Sequence, residues 1–235
     1  MPSSNSEPNS NIESLKHVAK RLGPLLGEVV FVGGCTTGLF ITDKAAAEVR
    51  ATFDVDVIAE IASYAEYASF SERLRAQGFR EDITEGAPLC RWLVDDLILD
   101  VMPTEQRVLG FTNRWYREAM ASSQELQLEP NLRIRAVTAP YFVATKLEAF
   151  RGRGHGDFAA SHDLEDILTV IDGREEIAHE IAGTELQSYI ASELGDLLRT
   201  PAFLDAFPGH LLPDTASQAR GPILLKRIQQ IAATK

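Results

Sequence analysis

The sequence predicts an α+β fold: a mixed sheet with flanking helices, followed by an all-helical C-terminal region. Three observations carry that expectation. Short apolar or alternating runs, each bounded by glycine, proline or acidic turns, recur as far as Val137. From Ala139 onward the apolar spacing becomes helical. The 235 residues are 45% apolar and 24% charged, the composition of a chain that buries a sizeable core.

Residues 1–10 read as a disordered tail, 11–138 as the α+β core and 139–235 as a helical domain. Ile12 to Leu22 has an amphipathic stripe and stops at Gly23-Pro24. Val29 to Val32 is a continuous apolar run that ends at Gly33-Gly34, as a buried strand does, and Cys35 to Ile41 is expected to turn away as a helix. Phe53 to Ile58 alternates apolar and acidic residues, which places Asp54 and Asp56 on one face of a strand. Ser63 to Gln77 is a helix. Cys90 to Val94 and Leu97 to Val101 form a hairpin about Asp95-Asp96, and Gln127 to Val137 supplies one or two more strands. Helices then follow over Tyr141 to Arg151, Ser161 to Ile171, Glu175 to about Leu198, and Pro222 to Ala233.

Several function classes are excluded at this level. No apolar run approaches the ~18 residues a membrane span requires. The opening MPSSNSEPNS has no basic or apolar signal region, so the expected location is cytoplasmic. Cys35 and Cys90 lack ligand spacing, which argues against a disulfide framework or a structural zinc. The formal net charge of -11 opposes nucleic-acid binding over the whole surface, yet Arg107 to Arg153 carries +4 and the remainder -15. One basic face is therefore compatible with an acidic chain.

The chemistry concentrates in three features: Gly33-Gly34 between a strand and a helix, the Asp54-x-Asp56 pair, and Asp100 at the end of a later strand. Convergent carboxylates repel one another unless a cation neutralises them, so this pattern calls for Mg²⁺ or Mn²⁺ held by oxygen ligands. Two such ions activate a hydroxyl and stabilise a leaving pyrophosphate. Glycines without Cβ let the backbone approach a triphosphate at the N-terminus of the following helix.

The block VGGCTTGLFIT followed by RATFDVDV resembles the glycine-pair and R-x-T-x-D-x-D signature of the DNA-polymerase-β-like nucleotidyltransferases. TKLEAFRGR followed by SHDLEDILTVIDGR resembles the distal element of the AbiEii-type nucleotidyltransferase toxins. The resemblance implies a nucleotidyltransferase-type fold and metal-dependent transfer of NMP from an NTP to a hydroxyl on RNA, such as tRNA, or on protein, with a possible cognate antitoxin. Carried over by position, Gly33 and Gly34 contact phosphates, Asp54 and Asp56 bind metal, Lys146 contacts the nucleotide, and Asp163 lies in the distal acidic motif, while Asp100 is expected from its strand position to complete the metal cage. Arg50 belongs to the same nucleotide-binding set. The sequence departs from the pattern twice: Cys35 stands where a small polar residue is expected, which transfers phosphate contact to Thr36, and His162 stands where a lysine is expected.

Each residue also has a plainer reading. Asp-x-Asp can be a solvated face, Asp100 a strand cap, and Lys146 a lysine snorkelling from an apolar helix. Asp163 and Asp166 can be dipole partners at a helix start. Arg50 can be an ordinary ion-pair residue, and the Arg151 to Gly156 loop a flexible basic connector. Cys35 has no histidine base nearby in sequence, which argues against a thiol nucleophile. Two alternative functions stay open: a small-molecule nucleotidyltransferase of the antibiotic-modifying type, and a catalytically idle nucleotide-binding or antitoxin partner.

Overall fold

The computed structural model describes residues 10–153 and 156–234, which form two compact units. The predicted tail at positions 1–9, and Gly154 and His155 of the basic loop, lie outside the described residues; Ser10 already belongs to a helix.

The first unit holds the sheet. Helix α1 (Ser10–Leu22) buries Leu15, Val18, Ala19 and Leu22, its predicted stripe. A 3₁₀ turn over Gly23–Glu28 leads into β1 (Val29–Val32), buried at every position. Strand β2 (Asp54–Ala59) follows, then α2 (Tyr64–Ala76), whose first turn is capped by the Ser63 hydroxyl accepting from the Glu66 amide. The two-residue β3 (Arg80–Glu81), β4 (Arg91–Val94) and β5 (Leu97–Pro103) come next. Short helices α3 (Gln106–Leu109) and α4 (Tyr116–Ala121) precede β6 (Gln124–Glu129) and β7 (Leu132–Ala136).

The strands assemble in the order β3-β4-β5-β2-β1-β7-β6. β2 pairs antiparallel with β1 and parallel with β5, so the sheet is mixed, in keeping with the expected α+β class. Asp95 takes φ +51° in the two-residue turn between β4 and β5, the left-handed geometry that such turns require. That turn fixes the hairpin register, with Val94 opposite Leu97 and Arg91 opposite Asp100.

The second unit takes in residues 39–50 and 113–115 together with everything from Thr138. Its helices are α5 (Ala139–Arg153), α6 (His162–Gly173), α7 (Ile177–Ile181), α8 (Gln187–Arg199), α9 (Pro201–Ala206), α10 (Thr215–Ala219) and α11 (Gly221–Ala233). α5 is buried over its first nine residues, and α6 buries Leu164, Ile167, Leu168, Val170 and Ile171. The single helix expected from Glu175 to Leu198 is two helices, because Gly183 adopts φ +77° after α7 and breaks the run. No helix of the described residues is long and apolar enough to cross a membrane.

Candidate functional site

In the first unit Val55 and Val57 face the core and turn Asp54 and Asp56 together to the other, half-buried face. The parallel register places Asp56 beside Asp100. Ligand oxygens of Asp54, Asp56 and Asp100 all lie within 4.8 Å of one another, with Asp100 buried. Three hard carboxylate ligands at that spacing suit Mg²⁺ or Mn²⁺. Asp54 also accepts a hydrogen bond from the Thr52 hydroxyl, and the Asn11 side chain holds the Thr52 amide at 2.9 Å. Fully buried Asn11 thereby ties α1 to the entrance of the strand that carries the pair.

Gly33 has a structural reason of its own. Its φ is +79°, and a Cβ there would stand 1.9 Å from the Asp56 carboxylate. The missing side chain lets Asp56 fold against the end of β1. Beyond it, the expected helix is a six-residue 3₁₀ turn, Gly34–Leu39, and this corrects the expectation of a helix N-terminus aimed at phosphate. The Thr36 amide (3.0 Å) and hydroxyl (2.7 Å) both donate to the Gly33 carbonyl, so the buried Thr36 closes the turn. Cys35 is buried and lies 3.2 Å from the Asn11 carbonyl. Burial, followed by the charges of Asp56 and Asp54, pushes its thiol far above the usual range, which leaves it no nucleophile.

Arg91 was not singled out in the sequence. Its Nε donates to Asp100 Oδ1 at 2.9 Å and its Nη2 to Oδ2 at 2.8 Å. This hydrogen-bonded pair, opposed by partial burial, holds the guanidinium proton more tightly than usual. The cluster therefore contains a cation of its own, which adds to the metal expected to reconcile its charges. The two-residue turn at Asp95-Asp96 was enough to place Arg91 opposite Asp100 by counting. Neighbouring Cys90 is pushed up to about 12, by burial first and then by the Asp100 and Asp56 charges.

The second unit gathers Arg50, Lys146, Arg153, Asp163, Glu165 and Asp166. Ser161 caps α6, and Asp163 and Asp166, three apart, share a face. Lys146 Nζ on α5 sits 3.0 Å from Asp163 and 2.7 Å from Asp166, all three being buried. Arg153 makes a two-pronged pair with Asp163 at 3.0 and 2.9 Å. Arg50 reaches Glu165 at 3.2 Å and Asp166 at 3.4 Å. Burial works to raise the Asp163 pKa, but Arg153 and Lys146 together hold it below the ordinary carboxylate range. Lys146 is thus an ion-paired group and does not snorkel to solvent. His162 sits 3.2 Å from Glu165, exposed at the helix start.

The basic residues are engaged as well. Arg151 and Arg153 lie in the last turn of α5, not in a loop beyond it, and Arg151 pairs with Glu193 at 2.9 Å. Arg133 lies 3.7 Å from Glu125, while Arg135 donates to Ser123 and to the Met120 carbonyl.

No protein-family model matches this chain, and no curated protein matches it significantly.

Proposed function

We propose that this chain is a metal-dependent nucleotidyltransferase that moves NMP from an NTP to a hydroxyl acceptor. One observation carries the reading: Asp54, Asp56 and Asp100 converge on adjacent strands with their oxygens within 4.8 Å of one another, beside a glycine with no room for a side chain. An antiparallel strand pair whose first strand ends at the glycine pair, with a third carboxylate on a parallel neighbour, also supports a nucleotidyltransferase-type fold.

Bound to these carboxylates, Mg²⁺ or Mn²⁺ would favour ionisation of the acceptor hydroxyl and offset charge on the leaving pyrophosphate. Asp54 and Asp56 would supply carboxylate oxygens from one face of β2. Asp100, aligned by Arg91, would supply the third. Transfer then forms one bond from the acceptor oxygen to the α-phosphorus and breaks the bond from that phosphorus to the pyrophosphate oxygen. The acceptor proton passes to solvent or to a carboxylate. The Cys35 thiol takes no part.

The acceptor follows the resemblance: RNA such as tRNA, or a protein hydroxyl, in a toxin-like enzyme that a cognate antitoxin would restrain. Lys146 and Asp163 enter through the distal motif, and their ion pairs give them a folding role that the variants below separate from any nucleotide contact.

The test incubates the chain with each α-labelled NTP, Mg²⁺ or Mn²⁺, and total RNA or cell extract, then separates RNA, protein and small molecules. Label in RNA or protein that disappears on chelation supports the proposal. Label confined to a small molecule moves the antibiotic-modifying type ahead. Absence of metal-dependent pyrophosphate release from every NTP overturns the reading and favours an idle binding module.

A further inference from the structure

The Arg91–Asp100 pair has a consequence that the metal reading alone does not contain. A carboxylate offers about four lone-pair positions, and Arg91 occupies one on each oxygen of Asp100. The remaining positions can still reach a cation, but the two-pronged guanidinium fixes the plane of the carboxylate and limits the directions from which it can bind. Arg91 also sets a positive charge in the row that contains the ligands. Register places Arg91 opposite Asp100 and Asp100 beside Asp56, and the charge of Asp54 is felt at the guanidinium.

We infer that Arg91 is a positioning residue with two opposed effects: it orients Asp100 for transfer, and its charge weakens the cluster's grip on a divalent cation. The inference rests on the metal-dependent reading above. A tethered cation a few ångströms from a divalent ion repels it, so the cluster with Arg91 is a weaker and more readily exchanging cation site than the three carboxylates alone. Weak holding suits a site whose cation arrives and leaves with a nucleotide polyphosphate.

The two effects separate by substitution. Arg91→Gln keeps a hydrogen-bond donor and removes the charge. Arg91→Lys keeps the charge and loses the fork. Mn²⁺ binding to the nucleotide-free chain is titrated by electron paramagnetic resonance, with a thermal melt as the folding control. Arg91→Gln is expected to bind Mn²⁺ about tenfold more tightly than the parent. Arg91→Lys is expected to stay within about twofold of it, since the charge remains. Both should transfer NMP at least about tenfold more slowly at saturating metal and NTP, through kcat and not KM, because Asp100 loses its alignment.

An Arg91→Gln variant that folds and binds Mn²⁺ no more tightly than the parent overturns the inference and leaves the metal-site reading standing. Parent-like kcat in Arg91→Lys overturns the orienting role even where the Gln variant does not fold. If the parent itself binds no Mn²⁺ saturably while Asp100→Asn behaves identically, the metal-site reading falls and this inference falls with it.

Discussion

The two clusters of acidic residues in this chain are built differently. In the helical unit Asp163, Glu165 and Asp166 are met by Lys146, Arg153 and Arg50, so each carboxylate has a cation at ion-pair distance. In the sheet unit Asp100 is held by Arg91, whereas Asp54 is met by the hydroxyl of Thr52. Buried charges matched from within are accounted for by folding alone. Carboxylates brought within 4.8 Å of one another and answered partly by a hydroxyl repel one another, which is what the proposed metal would relieve. Similar acid content is thus balanced differently in the two clusters, and the proposed chemistry is assigned to the one that its own cations answer less completely.

The largest test of that contrast is Asp54→Asn. The change removes a charge but almost no volume, so transfer should fall by more than about a hundredfold. The metal-free melting temperature should hold or rise, since repulsion within the cluster is relieved. A fall in melting temperature with activity intact would reverse the assignment. Lys146→Met addresses the other cluster. It removes the buried cation shared by Asp163 and Asp166, leaving each with an arginine partner, and should cost about 1–3 kcal/mol in urea unfolding. A fully stable variant that nonetheless fails to use NTP would move Lys146 from folding to nucleotide contact.

Gly33→Ala tests the junction between turn and carboxylate. The left-handed backbone and the displacement of Asp56 should together cost about 1–3 kcal/mol and weaken Mn²⁺ binding as well. Unchanged Mn²⁺ affinity would mean that Asp56 is not a ligand. Asp163 gives a smaller effect that depends on pH. Its folded pKa lies below its unfolded value, so its stabilisation is present above the ordinary carboxylate range and is lost as pH falls through the folded pKa. The difference in melting temperature between parent and Asp163→Asn should accordingly be constant near neutrality and shrink below about pH 4. The smallest effect is expected for Cys35→Ser, which conserves the contact to the Asn11 carbonyl. Its activity should stay within about threefold of the parent.

These contrasts were unevenly legible in the sequence. Strands β1 and β2 and the β4–β5 hairpin follow from local pattern, and with them the shared face of Asp54 and Asp56. The two residues of β3 and the few of α3 and α4 are too short to establish a period. Thr36 and Thr37 in a glycine-flanked segment gave a 3₁₀ turn where a helix was expected, because the turn closes on the Gly33 carbonyl. Lys146 read as a lone lysine because its partners lie 17 and 20 positions on, along the next helix, and only the packing of α5 on α6 reveals them. Arg91 was within reach of counting across the hairpin, but hydrophobic pattern gives a lone arginine no emphasis.

The row formed by Arg91, Asp100 and Asp56 also bears on how the chain folds. Arg91 and Asp100 face each other across a hairpin with a two-residue turn, a closure that takes microseconds and can form early. Asp56 joins them only when β2 docks beside β5, a parallel pairing between positions 44 residues apart in the chain. Long closures of this kind are entropically late. The salt-bridged pair is therefore expected to preassemble and the carboxylate cluster to be among the last features to form, so that a partly folded chain holds its arginine-bound aspartate before the three carboxylates converge.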